Sequence, residues 1–318
     1  MEGREAGLTA PDSPAGIRRY RVIVNRAAKR GGKARVHERI AEAMAGEHVE
    51  FLVPATRADA IEACSRAAGD GITDLVVAGG DGTINLALNA IAAAPVRLGV
   101  IPCGTANDLA TYLGIPKDPA AACAILKQGR TRVLDLVDVN GKRYATAGGA
   151  GTVSRVAVNV NRFKRYSRAS RWVARRLGSA IYLGYSFFLL LFSRRLYTPV
   201  EVFCDGQSVG RFPSVALFVN NQPTIGKRVM PTPDARPDDG ELSGMLLSRR
   251  SRLGTIVTVS LMSLRGHHTA RRDAVEFHGE RIEIRAEQPI LFIGDGEVLA
   301  KDTRLTITIH PGALEILC

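Results

Sequence analysis

Leu75-Val76-Val77-Ala78-Gly79-Gly80-Asp81-Gly82-Thr83-Ile84-Asn85 is an apolar run that breaks into glycines around a single acid, then resumes with helical spacing to Ala92. A short strand without polar residues suits a position covered on both faces of a sheet. The glycines let the chain turn sharply and let a ligand come close to the backbone. A helix start adds free N–H groups and the positive end of a dipole, both suited to phosphate. Asp81 does not fit a purely static anion site. A carboxylate repels phosphate unless a magnesium ion or a transferable proton lies between them. Taken alone, the segment reads equally as a tight strand-to-helix turn with Asp81 as a helix cap.

Downstream, Leu98-Gly99-Val100-Ile101-Pro102-Cys103-Gly104-Thr105-Ala106-Asn107-Asp108 repeats the plan of buried strand, glycine, hydroxyl and acid at a helix start. The repetition favours a phosphate-handling pair of loops over two unrelated turns. No G-x-x-x-x-G-K-[ST] sequence occurs, which excludes an ordinary P-loop. Outward from the pair, strands are predicted at Tyr20–Asn25, Val49–Val53, Leu75–Ala78 and Val96–Ile101. Helices are predicted near Arg35–Met44, Ala58–Ala68, Ile84–Ala92 and from Asn107. Such alternation argues a parallel sheet covered by helices, with both loops at the carboxyl ends of their strands, the usual ligand edge.

From about Ala145 the pattern changes. Strands are predicted at Val200–Cys204, Ser214–Asn220, Arg281–Ala286, Ile290–Ile293 and Leu305–Ile309, with Asp205-Gly206 as a turn. One apolar helical stretch, Leu177–Ser193, interrupts this antiparallel half. The reading is α/β with two domains: a tail at 1–17, an α/β domain at 18–144 and a β-rich domain at 145–302. The tail is polar, has no signal-peptide core, and reads as mobile.

The chain has 318 residues and a formal charge of +12, so anionic partners are expected: nucleotides, nucleic acid or an anionic membrane face. Five cysteines without a C-x-x-C pair suit reduced thiols and a cytoplasmic protein. The six histidines show no metal-ligand spacing. Asp295-Gly296-Glu297 alone reads as a β-turn with solvated acids, and Pro237-Asp238-Asp239-Gly240 as an acidic turn that needs no metal.

In order along the chain, Gly79–Asn85, Gly104–Ala110, Pro233-Asp234-Ala235 with Asp238-Asp239-Gly240, and Asp295-Gly296-Glu297 resemble the motifs of the diacylglycerol kinase catalytic family. Ala145–Thr152 and the ending Ile309–Leu314 are similar to its YegS-type bacterial lipid kinases. The resemblance implies an NAD kinase/phosphofructokinase-like nucleotide-binding domain and a C-terminal β-sandwich, with the active site in the cleft between them and segment 303–318 packing back on the first domain. It implies transfer of the ATP γ-phosphate to a lipid hydroxyl, phosphatidylglycerol-like or diacylglycerol. The nucleotide site would comprise Asn25, Arg26, Ala27, Ala28, Lys29, Thr56, Gly79, Gly80, Asp81, Gly82, Thr83, Ile84, Asn85 and Thr105. Asp81 and Asp108 would organise catalytic magnesium and water, and Glu297 would be the general base. A structural Mg²⁺ or Ca²⁺ would take the carboxylate of Asp239 and the backbone carbonyls of Arg236 and Glu241.

The sequence departs from the family at several places. Arg26 replaces a proline, Ala58 a glycine and Leu86 a glutamate, and Val153 stands where many diacylglycerol kinases carry aspartate. The alternatives are an NAD kinase-like enzyme, which shares Gly-Gly-Asp-Gly-Thr, and a catalytically silent lipid- or nucleotide-binding homologue. Arg162–Arg176 mixes basic residues with Phe163, Tyr166 and Trp172, which suits an anionic membrane surface or single-stranded nucleic acid. With the lipid-kinase resemblance, the expected partner is a lipid at an anionic membrane, met peripherally at its inner face, with no nucleic acid. The 17-residue Leu177–Ser193 stretch is borderline for a span, which takes about 20 apolar residues, and reads as a partly buried helix whose exposed side enters the lipid interface. The oligomeric state is left open.

Overall fold

A computed structural model describes residues 17–25, 34–92, 94–178, 180–193, 196–226, 229–249, 251–262, 268–269 and 271–318. The chain divides into two compact units, one formed by the residues up to Leu134 with Gly312–Cys318, the other by Asp135–Pro311.

The first unit is built on a parallel sheet. Its strands are β1 (Arg19–Val24), β2 (His48–Leu52), β3 (Asp74–Gly79) and β4 (Arg97–Pro102), in spatial order β2-β1-β3-β4. Register is fixed by pairs such as Val22 with Phe51, Val22 with Val76, and Val76 with Gly99. The end of the last strand, β13 (Glu297–Leu317), joins beside β4 through Ile316 and Leu98. Every residue of β3 is buried, as its apolar run requires. Helices α1 (Ala34–Ala43), α2 (Arg57–Ser65), α3 (Asp81–Ile91), α4 (Asp108–Tyr112) and α5 (Pro119–Gln128) complete the unit. Helix α5 was not foreseen, although Asp118 caps it by accepting from Ala121 N, Pro119 opens it and Gly129 ends it in the left-handed region. At the start of β3, the fully buried carboxylate of Asp74 is held by Arg18 at 3.1 Å and Arg97 at 2.7 Å.

The second unit is antiparallel. Its strands are β5 (Thr131–Val139), β6 (Lys142–Tyr144), β7 (Ala147–Gly151), β8 (Thr198–Cys204), β9 (Gln207–Asn220), β10 (Leu242–Ser248), β11 (Ala274–Gly279), β12 (Arg281–Gly294) and most of β13. Strands β9 and β12 each pair with β8 along one half and with β7 along the other. The faces so formed enclose a core of Tyr144, Val202, Leu217, Val219, Phe292 and Leu305. The strands predicted separately at Arg281–Ala286 and Ile290–Ile293 are one strand; its register against β13 shifts between Arg285 and Ile290. Pro289 lies in that interval and lacks the N–H a regular ladder needs.

The expectation of a single helical interruption is corrected. Helices α6 (Thr152–Tyr166), α7 (Arg168–Leu177) and α8 (Ala180–Phe192) follow β7, and α9 (Arg252–Met262) follows β10. The α6–α7 break is made by Ser167 and Ser170, which form a reciprocal capping box. Helix α9 is rich in β-branched residues and reads locally as a strand; tertiary packing prevails, with Met262 buried beside Leu190 and Met245.

Candidate functional site

The first glycine loop is a strand end that becomes a helix. Gly80 is the N-cap of α3, and Asp81 already lies in its first turn. Asp81 therefore caps not its own helix but the next one. Its carboxylate accepts from Asn107 N at 3.0 Å and Asp108 N at 2.8 Å, at the start of α4. Asn107 adopts the left-handed conformation at φ 53°. Its side-chain oxygen accepts from Gly104 N at 2.8 Å, and its amide donates to Gly104 O at 3.1 Å. Cys103 N donates to Gly79 O at 2.7 Å, so the two loops are also joined through the main chain. A Cβ added at Gly104 would stand 2.6 Å from Gly80 Cα, a contact that only glycine permits. Asn107 is a residue that sequence reasoning left without a role; an Asn before an Asp at a helix start was the available signal.

The other residues expected at the nucleotide fall in several elements. Asn25 follows β1 and donates through Nδ2 to Thr83 Oγ1 at 2.7 Å. Thr105 is exposed, whereas Ile84 and Asn85 are buried within α3. Ile84 thus contributes packing through its side chain, and Asn85 accepts through its carbonyl from Asn89 Nδ2 at 2.8 Å. Thr56 is the N-cap of α2 in a capping box with Asp59. Arg26, Ala27, Ala28 and Lys29 lie outside the described residues. Leu86 is buried, so the position that carries glutamate in the resembling pattern here serves the core.

In the second unit, Asp295 and Gly296 form the two-residue turn between β12 and β13, with φ 50° and 78°, the geometry of a type I′ hairpin. Asp295 accepts from Ala145 N at 3.1 Å, Thr146 N at 3.0 Å and Thr146 Oγ1 at 2.5 Å. These bonds fasten the hairpin to the segment before β7. Glu297 is the first residue of β13 and is partly exposed. The carbonyl of Gly296 accepts from Asn161 Nδ2 on α6 at 3.2 Å, and Asn161 Oδ1 accepts from Tyr182 of α8 at 3.2 Å. Asp295 and Asn161 thus fix the turn that presents Glu297. Asn161 carried no local signal, because its partner lies 135 positions away. Val153, in the first turn of α6, packs against the cluster containing Phe218 and Met245.

The acidic loop is a compact oxygen-rich segment. Asp239 Oδ1 accepts from Glu241 N at 3.1 Å. Asp135, buried and not foreseen as part of this loop, accepts from Gly240 N at 2.8 Å and donates its own N–H to Pro237 O at 2.7 Å. Burial raises the carboxyl of Asp239 above 3.8; the bond from Glu241 N opposes that shift, and the charges of Glu241 and Asp135 add to it. Among the described residues, no three His, Cys, Asp or Glu side chains converge as a metal cluster. An ion here would therefore draw on backbone carbonyls as well, and the hard oxygen set fits Mg²⁺ or Ca²⁺.

Fold and loops together define a kinase with an α/β unit and a β-sandwich unit. Residues 19–139 match the diacylglycerol kinase catalytic domain, and residues 149–318 match the YegS C-terminal NAD kinase beta sandwich-like domain. A Pseudomonas aeruginosa protein provisionally named a YegS-like lipid kinase is 31% identical over 91% of both chains. The Bacillus subtilis diacylglycerol kinase is 30% identical over 75% of this chain and 76% of its own. A solved Bacillus anthracis structure, provisionally described as a diacylglycerol kinase, superposes with a TM-score of 0.78 at 22% identity, covering 97% of this chain and 98% of its own; that likeness concerns the fold. The chain belongs to the diacylglycerol kinase catalytic family and, within it, to the YegS-like lipid kinases.

Proposed function

We propose that this protein transfers the γ-phosphate of ATP to the hydroxyl of a phosphatidylglycerol-like lipid, with diacylglycerol as the second candidate. The observation that carries the reading is the joining of two glycine loops through the Asp81 carboxylate. The tie holds Gly80 beside Gly104, and each loop runs into a helix start, which suits phosphate. Asn25, Thr56, Gly79–Asn85 and Thr105 form the nucleotide surface in this reading, with Arg26–Lys29 as its flanking loop.

Glu297 is the general base. It accepts the proton of the lipid hydroxyl as that oxygen bonds to the γ-phosphorus, and ADP leaves with the bond electrons. Asp81 and Asp108 would hold magnesium and water at the site. Asp81 has two oxygens with about four lone-pair sites, and two backbone N–H groups take only part of that capacity. Magnesium, when bound, supplies neutralisation of the charge on the phosphates. The acidic loop, through Asp239 and the carbonyls of Arg236 and Glu241, would hold a second, structural ion. Val153 supports the phosphatidylglycerol-like acceptor over diacylglycerol, because many diacylglycerol kinases carry aspartate there. The work is done at the inner face of a membrane, by a cytoplasmic protein that meets the bilayer peripherally.

The test offers purified protein, labelled ATP and Mg²⁺ with phosphatidylglycerol, diacylglycerol, sphingosine and NAD in separate reactions. Label in the phosphatidylglycerol fraction is expected. Label confined to NADP would replace this reading with an NAD kinase, and ATP binding without any transfer would favour a silent homologue.

A further inference from the structure

Residues 139–200 contain twelve Lys and Arg and no Asp or Glu. The formal charge of the whole chain is +12, so the rest of the sequence is balanced. This one-signed segment includes α6, α7 and α8. Helix α8 has no charged residue in Ala180-Ile-Tyr-Leu-Gly-Tyr-Ser-Phe-Phe-Leu-Leu-Leu-Phe192. A helix that is apolar all round belongs inside a core or in lipid. Here only one side is covered: Leu189 and Leu190 are buried, while Phe188, Leu191 and Phe192 are 53%, 50% and 68% exposed. Residues 188, 191 and 192 share one helical face.

Helix α9 begins at the end of this helix. Arg252 donates to the carbonyls of Leu190, Leu191 and Ser193, satisfying the open end of α8 and fixing the start of α9 beside it. The next residue, Leu253, is 72% exposed. The result is an uncovered apolar surface bordered by a segment with no negative charge.

We propose that the outward face of α8, with Leu253 of α9, lies in the interfacial layer of an anionic bilayer. The proposal deepens the membrane contact in the lipid-kinase reading by naming the side chains that enter the lipid. A helix of thirteen residues is about 20 Å long, short of the ~30 Å of a hydrocarbon core, so it lies along the surface and does not span. Charge selects this occupant over a second copy of the chain. A symmetric self-contact would set the acid-free segment against itself, and like charges oppose that contact. A nucleic acid would answer the charge but not the aliphatic Leu191 and Leu253. Anionic headgroups and acyl chains answer both.

The chain has one tryptophan, Trp172 on α7, 65% exposed, which serves as an intrinsic reporter. The full-length protein is mixed with phosphatidylglycerol/phosphatidylcholine vesicles. Cosedimentation and a blue shift of Trp172 emission are expected, both weaker with pure phosphatidylcholine and at high salt. The Phe188→Ser/Leu191→Ser/Phe192→Ser variant should bind at least tenfold more weakly while keeping the wild-type melting temperature. Leu253→Ser, a milder change, should weaken binding in the same direction. In detergent micelles with dispersed short-chain lipid, both variants should phosphorylate at the parent rate, which separates a binding defect from failure of the kinase reading. Wild-type vesicle binding by the triple variant would overturn the proposal. So would a lipid-independent dimer that the triple substitution dissociates.

Discussion

Asp81 uses its carboxylate on two main-chain donors at the start of the next loop's helix, 26 and 27 positions along the chain. Asp81→Ala leaves those donors without their partner, a loss of about 1–2 kcal/mol by the usual cost of a helix cap. The expected outcome is a modest fall in melting temperature and a fall in kcat of more than a hundredfold, since the start of the second loop's helix loses its side-chain anchor to the first loop. Steady-state kinetics beside thermal unfolding checks both. Asp239 gives a pH-dependent prediction. Its carboxyl is raised above 3.8, chiefly by burial and then by the Glu241 and Asp135 charges, against the opposing bond from Glu241 N. The folded state thus holds this proton more tightly than the unfolded chain. Its contribution is most favourable at low pH and declines as pH rises from about 3.8 through the raised value, leaving an unrelieved cost at neutrality. At pH 7 in chelator, Asp239→Asn should therefore raise the melting temperature by a few degrees. Millimolar Mg²⁺ or Ca²⁺ should raise the parent's melting temperature and leave that of Asp239→Asn unchanged; melting curves with and without the ions test it.

At the scale of elements, the alternation in the first half was legible because β3 and β4 are short, largely apolar runs ended by Gly79 and Pro102, with helical spacing resuming after each. The two loops were legible because glycine and acid recur in the same order. The fastenings were not, because they join distant positions. Asp295 reaches Thr146 across 149 residues, and Asp135 reaches Gly240 across 105. No local pattern encodes such a pair. Helix α9 was illegible for another reason: its β-branched residues favour a strand locally, and only packing beside Leu190 and Met245 decides otherwise. The β12–β13 hairpin gives the prediction at this scale. Asp295→Ala removes three hydrogen bonds from the turn before Glu297 and should cost about 2–3 kcal/mol. It should lower kcat while leaving the affinity for ATP near the parent value, since the nucleotide loops belong to the other unit. Asn161→Ala should act in the same direction and more weakly, because it removes one bond to Gly296. Titration calorimetry with ATP and initial rates separate the two effects.

For the whole molecule, no helix among the described residues is long and apolar enough to cross a membrane. Charge is concentrated in residues 139–200, and the composition alone could not say so, since +12 spread evenly would suit many anionic partners. Buried ion pairs bear on the stability of the first unit. Asp74 is fully buried between Arg18 and Arg97, and Asp74→Ala leaves both guanidinium groups without it. A loss of about 3–5 kcal/mol is expected, read as an early unfolding transition in calorimetry.

The central claim is a division of labour: the first unit handles the nucleotide, and Glu297 in the second takes the proton from the lipid hydroxyl. It is tested most directly by comparing Glu297→Gln with the parent in two assays on the same preparation, ATP binding by calorimetry and label transfer from ATP to phosphatidylglycerol. ATP affinity within twofold of the parent, with transfer reduced by at least a thousandfold, is the predicted result. Transfer persisting at near the parent rate would contradict the account.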